Sequence, residues 1–171
     1  MESWYQSAFK ELSKRKIKYL VVGGMAVILH GYDRRTGDLD LMVAMDEPNL
    51  QNLIEAIRSL GWKPRIPVKL EDFVRSDLRE SWMKEKGMKV FSVFNPKKNA
   101  ETMDILIESG VNFEKAYDRR ERMTVYGIPI HVAAIEDVIR LKKAAGRQRD
   151  LEDIRALKQI QELNRESGKK Q

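Results

Sequence analysis

The sequence predicts an α+β fold of mixed α/β plan, and three observations carry that reading. Apolar residues recur at helical spacing in several separate stripes, most of them closed by a glycine. Between the stripes lie short apolar or alternating runs of strand length. After residue 133 the pattern turns helical twice in succession, and no further strand follows.

Trp4, Ala8, Phe9 and Leu12 fall on one face of an opening helix. Tyr19-Leu20-Val21-Val22 reads as a short buried strand, followed by a sharp turn at Gly23-Gly24, an apolar helix over 25–31 and a strand over 38–44. Leu50, Leu53, Ile54, Ile57 and Leu60 form the stripe of a surface helix that Gly61 ends. Leu70, Phe73, Val74, Leu78 and Trp82 make another stripe, ended by Gly87. Residues 89–94 and 102–107 read as the strands of a hairpin with 95–100 as its turn. A helix near 111–120, strands near 122–126 and 128–133, and two closing helices over 135–145 and 148–165 complete the plan. No internal repeat or low-complexity linker divides it. The chain therefore reads as a single domain over 1–171, with a core over about 17–133 and C-terminal helices over about 135–165.

Two groups in this plan point to chemistry. Side chains alternate along a strand, so Asp38 and Asp40 share one side while Leu39 and Leu41 turn to a core. Paired carboxylates of this kind hold hard, oxygen-ligated cations. Gly23 and Gly24 lack a Cβ, so a phosphate can approach backbone N–H groups at a helix N-terminus, where the partial positive charge favours an anion. Asp104 stands between Met103 and Ile105 in an apolar strand, where an unpaired carboxylate is costly enough to call for a nearby cation. It reads as the third ligand.

Gly23-Gly24, the run Arg34-x-Thr36-x-Asp38-Leu39-Asp40, and Asp104 together resemble the nucleotidyltransferases of the DNA polymerase beta superfamily. The tail, from Val132-Ala133 through Glu136-Asp137-Val138-Ile139 and Lys142 to Gly146-Arg147-x-Arg149-Asp150-x-x-Asp153-Ile154, resembles that of a small toxin-like branch found in toxin–antitoxin and abortive-infection systems. Many superfamily members carry Gly-Ser where this chain has Gly23-Gly24, so phosphate contact falls to backbone N–H groups and nearby cations. The resemblance implies a polymerase-beta-like core with a mixed sheet, flanking helices and a C-terminal helical pair. It also implies an NTP as donor and two Mg²⁺ ions, or Mn²⁺ in their place, held by Asp38, Asp40 and Asp104. Two metals about 3.5–4 Å apart clamp the attacking and leaving oxygens of such a transfer, and Asp104 doubles as the general base.

Other residues keep two readings. Arg34 reaches phosphate or pairs with Asp38 or Asp33, while Thr36, counted with Gly23, Gly24, Arg34 and Lys142 among the nucleotide-binding residues, shapes the loop ahead of the strand. Lys142 lies on the inner face of its helix, as a triphosphate contact or as a lysine snorkelling at the core edge. Arg147, Arg149, Asp150 and Asp153 read as a structural ion network, or as the N-cap of the last helix through Asp150. His30 and His131 read as core or helix-end residues. Trp4, Trp62 and Trp82 read as packing residues, with Trp62, beside Lys63 and Arg65, offering a base or ribose contact.

Composition narrows the classes. The chain has no cysteine and two histidines, which removes disulfides, thiolate nucleophiles and sulfur-ligated zinc. No segment has the length of an apolar membrane span, and the N-terminus has no signal-peptide pattern, so a cytoplasmic protein without membrane attachment is expected. With 32 Lys+Arg against 26 Asp+Glu the net charge is +6, which suits a triphosphate and an RNA acceptor, although runs such as Lys10 to Lys18 and Lys169-Lys170 read equally as solvated surface. Three functions follow. The first is an enzyme that transfers a nucleoside monophosphate to a hydroxyl of tRNA, protein or a small molecule, in the role of a toxin with a cognate antitoxin. The second is a silent nucleotide-binding regulator or antitoxin, and the third a partner-binding protein that uses its last two helices.

Overall fold

The computed structural model describes residues 2–169; Met1, Lys170 and Gln171, and with Lys170 the end of the second lysine run, lie outside the described residues. The chain forms α1 (Trp4–Lys14), β1 (Tyr19–Val22), α2 (Gly23–Leu29), β2 (Asp38–Val43), α3 (Glu47–Ser59) and β3 (Lys63–Pro64). After a 3-10 turn (Leu70–Val74) come α4 (Ser76–Lys86), β4 (Val90–Asn95), β5 (Lys98–Leu106), α5 (Phe113–Asp118), β6 (Glu121–Val125), β7 (Ile128–Val132), α6 (Ile135–Ala145) and α7 (Gln148–Lys169).

Local chemistry explains the boundaries. Ser3 caps α1 by accepting from the Gln6 N–H at 3.2 Å, and Asp46 caps α3 by accepting from the Asn49 N–H at 3.0 Å. Helix α2 begins on the glycine pair itself, earlier than the turn reading, with Gly23 at φ +64°. The stripe from Leu70 to Trp82 is split, because Arg75 adopts an extended conformation (φ −82°, ψ 116°) between the 3-10 turn and α4. Strand β3, only two residues long, carries no readable alternation and was not expected from the pattern.

The strands make one mixed seven-stranded sheet in the order β3-β4-β5-β2-β1-β7-β6. Strand β2 runs antiparallel to β1 and parallel to β5, and β1 is parallel to β7. This is the mixed α+β architecture that the sequence predicts. Leu39, Leu41, Phe91, Val93, Met103 and Ile105 fill one face of the central strands and are essentially unexposed. Phe91 stacks with Phe73 at 4.7 Å and Trp82 at 5.6 Å, which fastens the 3-10 turn and α4 to β4. The intervening residues Asp38, Asp40, Ser92, Thr102 and Asp104 therefore share the opposite face. Helix α6 packs on α2 and α7, closing one end of that face. No described helix is long and apolar enough to cross a membrane.

Candidate active site

Backbone register draws one row of residues across the sheet. Asp40 pairs with Val22 on β1 and with Asp104 on β5, and Asp104 pairs with Ser92 on β4. The Arg65 N–H, one residue past β3, donates to the Ser92 carbonyl at 3.0 Å. The row thus runs from the glycine turn after Val22, through two carboxylates, to an arginine. Asp38 lies one step along the strand, opposite Thr102. Ser92 Oγ donates to Asp104 Oδ1 at 2.6 Å and fixes that carboxylate.

Burial pushes the Asp40 carboxyl up to about 7, with the negative charges of Asp104 and then Asp38 adding to the rise; Lys142 and Arg147 oppose it from a distance. Asp38 is also raised, by burial and by Asp104, with Arg65 pulling the other way. Tyr5 belongs to the same face. Its hydroxyl donates to the Thr36 carbonyl at 3.4 Å, and burial, Asp38 and Asp40 raise its pKa.

The glycine turn is shaped around these groups. A Cβ on Gly23 would stand 2.1 Å from Asp40 Oδ2, and one on Gly24 would meet Thr36 Oγ1 at 2.7 Å and Arg34 Nη1 at 3.0 Å. Both glycines thus leave the room that these side chains occupy.

The C-terminal cations take partners in the protein. Arg34 pairs with Asp153 at 2.8 Å, not with Asp33 or Asp38, because its guanidinium reaches across to α7. Lys142 is buried and pairs with Asp153 at 2.8 Å and Asp150 at 3.2 Å. Arg147 donates to Asp150 through Nε at 2.8 Å and through its backbone N–H at 3.1 Å. Asp150 therefore caps α7 from its third helical position, reaching back to Arg147, and not as the N-cap residue itself. Burial works against ionising Asp150, but hydrogen bonds from Arg147 and Lys142 prevail and hold it below the usual carboxylate range. Arg147, Asp150 and Asp153 form the expected ion network together with Lys142 and Arg34, whereas Arg149 lies outside it and donates to the Arg35 carbonyl at 2.5 Å. Replacing Lys142 with Met removes the cation shared by two buried carboxylates, so we expect a loss of about 3 kcal/mol, read by denaturant unfolding. An unchanged midpoint would mean that Arg34 and Arg147 neutralise the pair unaided.

A cleft of about 600 Å³ opens between the sheet and α6, and Gly23, Asp40, Asp104, Lys142 and Arg147 all line it. Gly24, Arg34, Thr36, Asp38 and Arg65 are not among its walls. Trp62 and Trp82 are each 5% exposed, which leaves the Trp62 ring no face for a base or ribose. His30 ends α2 with Nε2 2.7 Å from the Ala133 carbonyl, and His131 packs against Tyr19 and Tyr117. Sequence reasoning missed Ser92 and the place of Arg65 in the row. An unbroken hairpin continued from the Asn95–Lys98 pair would set Asp104 opposite Lys89; the register shift at Phe94/Asn95 sets it opposite Ser92 instead.

The donor set fits a hard divalent cation in kind. Asp40 is half-buried beside two like charges, its oxygen occupies the space that Gly23 leaves free, and it is offset only by distant cations. Among the described residues no three acidic or histidine side chains converge, as they stand, into a cluster that could hold an ion.

A family described as nucleotidyltransferase of unknown function (DUF6036) matches residues 6–170. The lincosamide antibiotic adenylyltransferase LnuA, in its lincomycin-bound crystal structure, is similar at 17% identity over 88% of this chain and 92% of that one, with a TM-score of 0.57. The antibiotic-resistance factor ANT(2'')-Ia is similar in its solution structure at 12% identity over 97% and 89%, TM-score 0.59. Its crystal structure with adenylyl-2''-tobramycin gives 13% identity over 93% and 91%, TM-score 0.56. At these identities the likeness shows a shared polymerase-beta-like nucleotidyltransferase fold. No curated protein matches the chain by sequence.

Proposed function

The chain belongs to the family of nucleotidyltransferases of unknown function (DUF6036), and we propose that it moves a nucleoside monophosphate from an NTP to a hydroxyl acceptor in an Mg²⁺-dependent reaction centred on Asp38, Asp40 and Asp104. The observation that carries this reading is the register pairing of Asp40 with Asp104, beside a glycine turn whose missing Cβ makes room for Asp40. The same proposal treats residues 1–171 as one nucleotidyltransferase domain.

Gly23 and Gly24 orient the β and γ phosphates through their backbone N–H groups at the start of α2. Thr36 supports that turn from behind Gly24, and Arg34 holds it to α7 through Asp153. Lys142 and Arg147 bring positive charge to the cleft wall. Of the two, Arg147 is exposed and tied only to Asp150, so it is the freer to turn to a phosphate; Lys142 stays locked between two carboxylates. Asp104, oriented by Ser92, accepts the proton of the acceptor hydroxyl as its oxygen bonds the α-phosphorus and the bond to the pyrophosphate oxygen breaks. Asp38, Asp40 and Asp104 would be the residues to hold a divalent cation, which when bound would supply charge neutralisation and make that hydroxyl more acidic.

Incubating the purified protein with each α-³²P-NTP and Mg²⁺, alone and with total tRNA or cell lysate, tests the proposal and reveals both base and acceptor. Label appearing in an RNA, a protein or a small-molecule product, and absent from the Asp38→Ala, Asp40→Ala double variant, is the expected result. No transfer combined with calorimetric NTP binding would move the reading to a silent regulator. The toxin role is supported by the tail resemblance alone. It predicts that induced expression arrests growth, that the double variant does not, and that co-expression of an antitoxin encoded alongside relieves the arrest.

A further inference from the structure

The cations around the carboxylate face are not equivalent. Arg34, Lys142 and Arg147, on the α6–α7 side, each share a carboxylate of Asp150 or Asp153. Arg65, at the other end of the row, donates to three neutral oxygens: Asn99 Oδ1 at 2.9 Å, the Asn99 carbonyl at 2.7 Å and Thr102 Oγ1 at 2.7 Å. Its guanidinium also lies over the Phe94 ring, 4.5 Å from the centroid. Arg65 is thus held in place by bonds to neutral groups, with no salt-bridge partner among the described residues, although its charge reaches Asp38 across the face. A planar, pre-oriented guanidinium with open charge suits a phosphate oxygen.

Its position states which phosphate. The row runs from Gly23, which the proposed function takes as the triphosphate end, through Asp40 and Asp104 at the centre to Arg65, joined to Ser92 through its backbone, at the far end. Thr102, which Arg65 bonds, is the register partner of Asp38, so the guanidinium stands on the carboxylate face itself. In an in-line displacement the leaving pyrophosphate and the attacking oxygen lie on opposite sides of the α-phosphorus. With the pyrophosphate toward the glycine turn, the acceptor arrives from the Arg65 side.

We propose that the acceptor is a phosphate-bearing hydroxyl compound and that Arg65 anchors its phosphate beside the hydroxyl that reacts, a step that rests on reading Asp38, Asp40 and Asp104 as the catalytic face. Arg65 is a positioning residue here: the acceptor oxygen forms the bond to phosphorus, pyrophosphate leaves, and the guanidinium holds the acceptor by a group that does not react. The same charge works against polycationic acceptors such as tobramycin.

Two sources share this chemistry, a phosphodiester chain and a small sugar phosphate, and binding separates them. The full chain is titrated with a fluorescently labelled twelve-residue oligoribonucleotide and, by calorimetry, with ribose 5-phosphate, ribose and tobramycin, in parallel with ATP. Wild type is expected to bind one of the two phosphorylated probes at least tenfold more tightly than ribose. Arg65→Gln should weaken that probe by about tenfold, a larger factor than any change in ATP affinity, with Arg65→Lys lying between. The proposal is overturned if neither phosphorylated probe outbinds ribose, if Arg65→Gln leaves their affinity intact, or if tobramycin binds better than both. If wild type fails to bind ATP with Mg²⁺, the nucleotidyltransferase reading itself falls, an outcome distinct from a normal ATP isotherm with an indifferent Arg65.

Discussion

Asp40→Asn is expected to cut nucleotidyl transfer on the order of 10³-fold and, in the same molecule, to stabilise the metal-free protein at neutral and alkaline pH. The loss of activity follows from removing the carboxylate at the centre of the row, between the glycine turn and Asp104. The gain follows from its ionisation. Asp40 is raised to about 7 by burial, Asp104 and Asp38, against about 3.9 in an unfolded chain. Below the lower value both states hold the proton and the folded state pays no penalty. Between the two values the unfolded chain has released its proton and the folded one has not, so stability falls as pH rises, then levels off above 7. The slope within that window approaches 1.4 kcal/mol per pH unit. Asparagine cannot ionise, and its profile should be flat there apart from other groups. Denaturant unfolding in chelator at pH 5, 6, 7 and 8 checks this: the two proteins should diverge steadily up to about pH 7. Adding Mg²⁺ at pH 8 should then stabilise wild type far more than the variant, because an ion bound only by the folded state lowers its free energy. Parallel pH profiles would place the charge of Asp40 in solvent and remove the physical reason for a cation there.

This coupling of cost and function was partly legible in the residues. The alternation of Asp38 and Asp40 with Leu39 and Leu41 determines which side each faces, and the apolar neighbours of Asp104 place it in a strand of the same kind. Most helices and strands are likewise visible because each carries its own stripe. What periodicity does not carry is pairing between distant segments. That β2 lies parallel to β5 and antiparallel to β1 depends on crossovers, not on any window of the chain. Asp104 meets Ser92 through a register shift at Phe94/Asn95, and a shift of this kind leaves no compositional mark. The break of the Leu70–Trp82 stripe at Arg75 is invisible for a related reason, since the buried side chains on either side keep helical spacing across it.

Lys142 and Arg65 show the same limit for charges. An inward lysine in sequence seeks some anion, and the choice between a bound triphosphate and a protein carboxylate is made by α7, which brings Asp150 and Asp153 within 3.2 Å and 2.8 Å. Arg65 forms no such ion pair: its guanidinium bonds oxygens of Asn99 and Thr102, and its charge reaches Asp38 only across the face. Local sequence announces that a charge exists, and tertiary partners decide whether it is already neutralised.

Gly23→Ala should impair the enzyme more than any other single methyl group added at a glycine, and Gly146→Ala supplies the control. Both residues sit at nearly the same positive φ, +64° and +66°, so both substitutions carry the backbone cost of a left-handed conformation, about 1–2 kcal/mol. They differ in what the new Cβ meets. At Gly146 the nearest neighbour is the Lys143 carbonyl at 3.8 Å, an ordinary contact; at Gly23 it is Asp40 Oδ2 at 2.1 Å, with Asp40 Cγ at 2.8 Å and Cβ at 2.9 Å. No rotation of the methyl relieves that overlap, so Asp40 or the turn itself must move, and either displacement separates the turn proposed to bind phosphate from the carboxylate. Misplacement by about 1 Å costs on the order of 10²-fold in rate. Gly23→Ala is therefore expected to lose about 10²-fold in kcat/KM beyond its loss in stability, while Gly146→Ala loses stability alone. Steady-state kinetics at a temperature where both variants are folded separates the two effects. Equal kcat/KM for the two variants would show that the turn yields without disturbing Asp40, and that room at Gly23 is not what joins the two halves of the site.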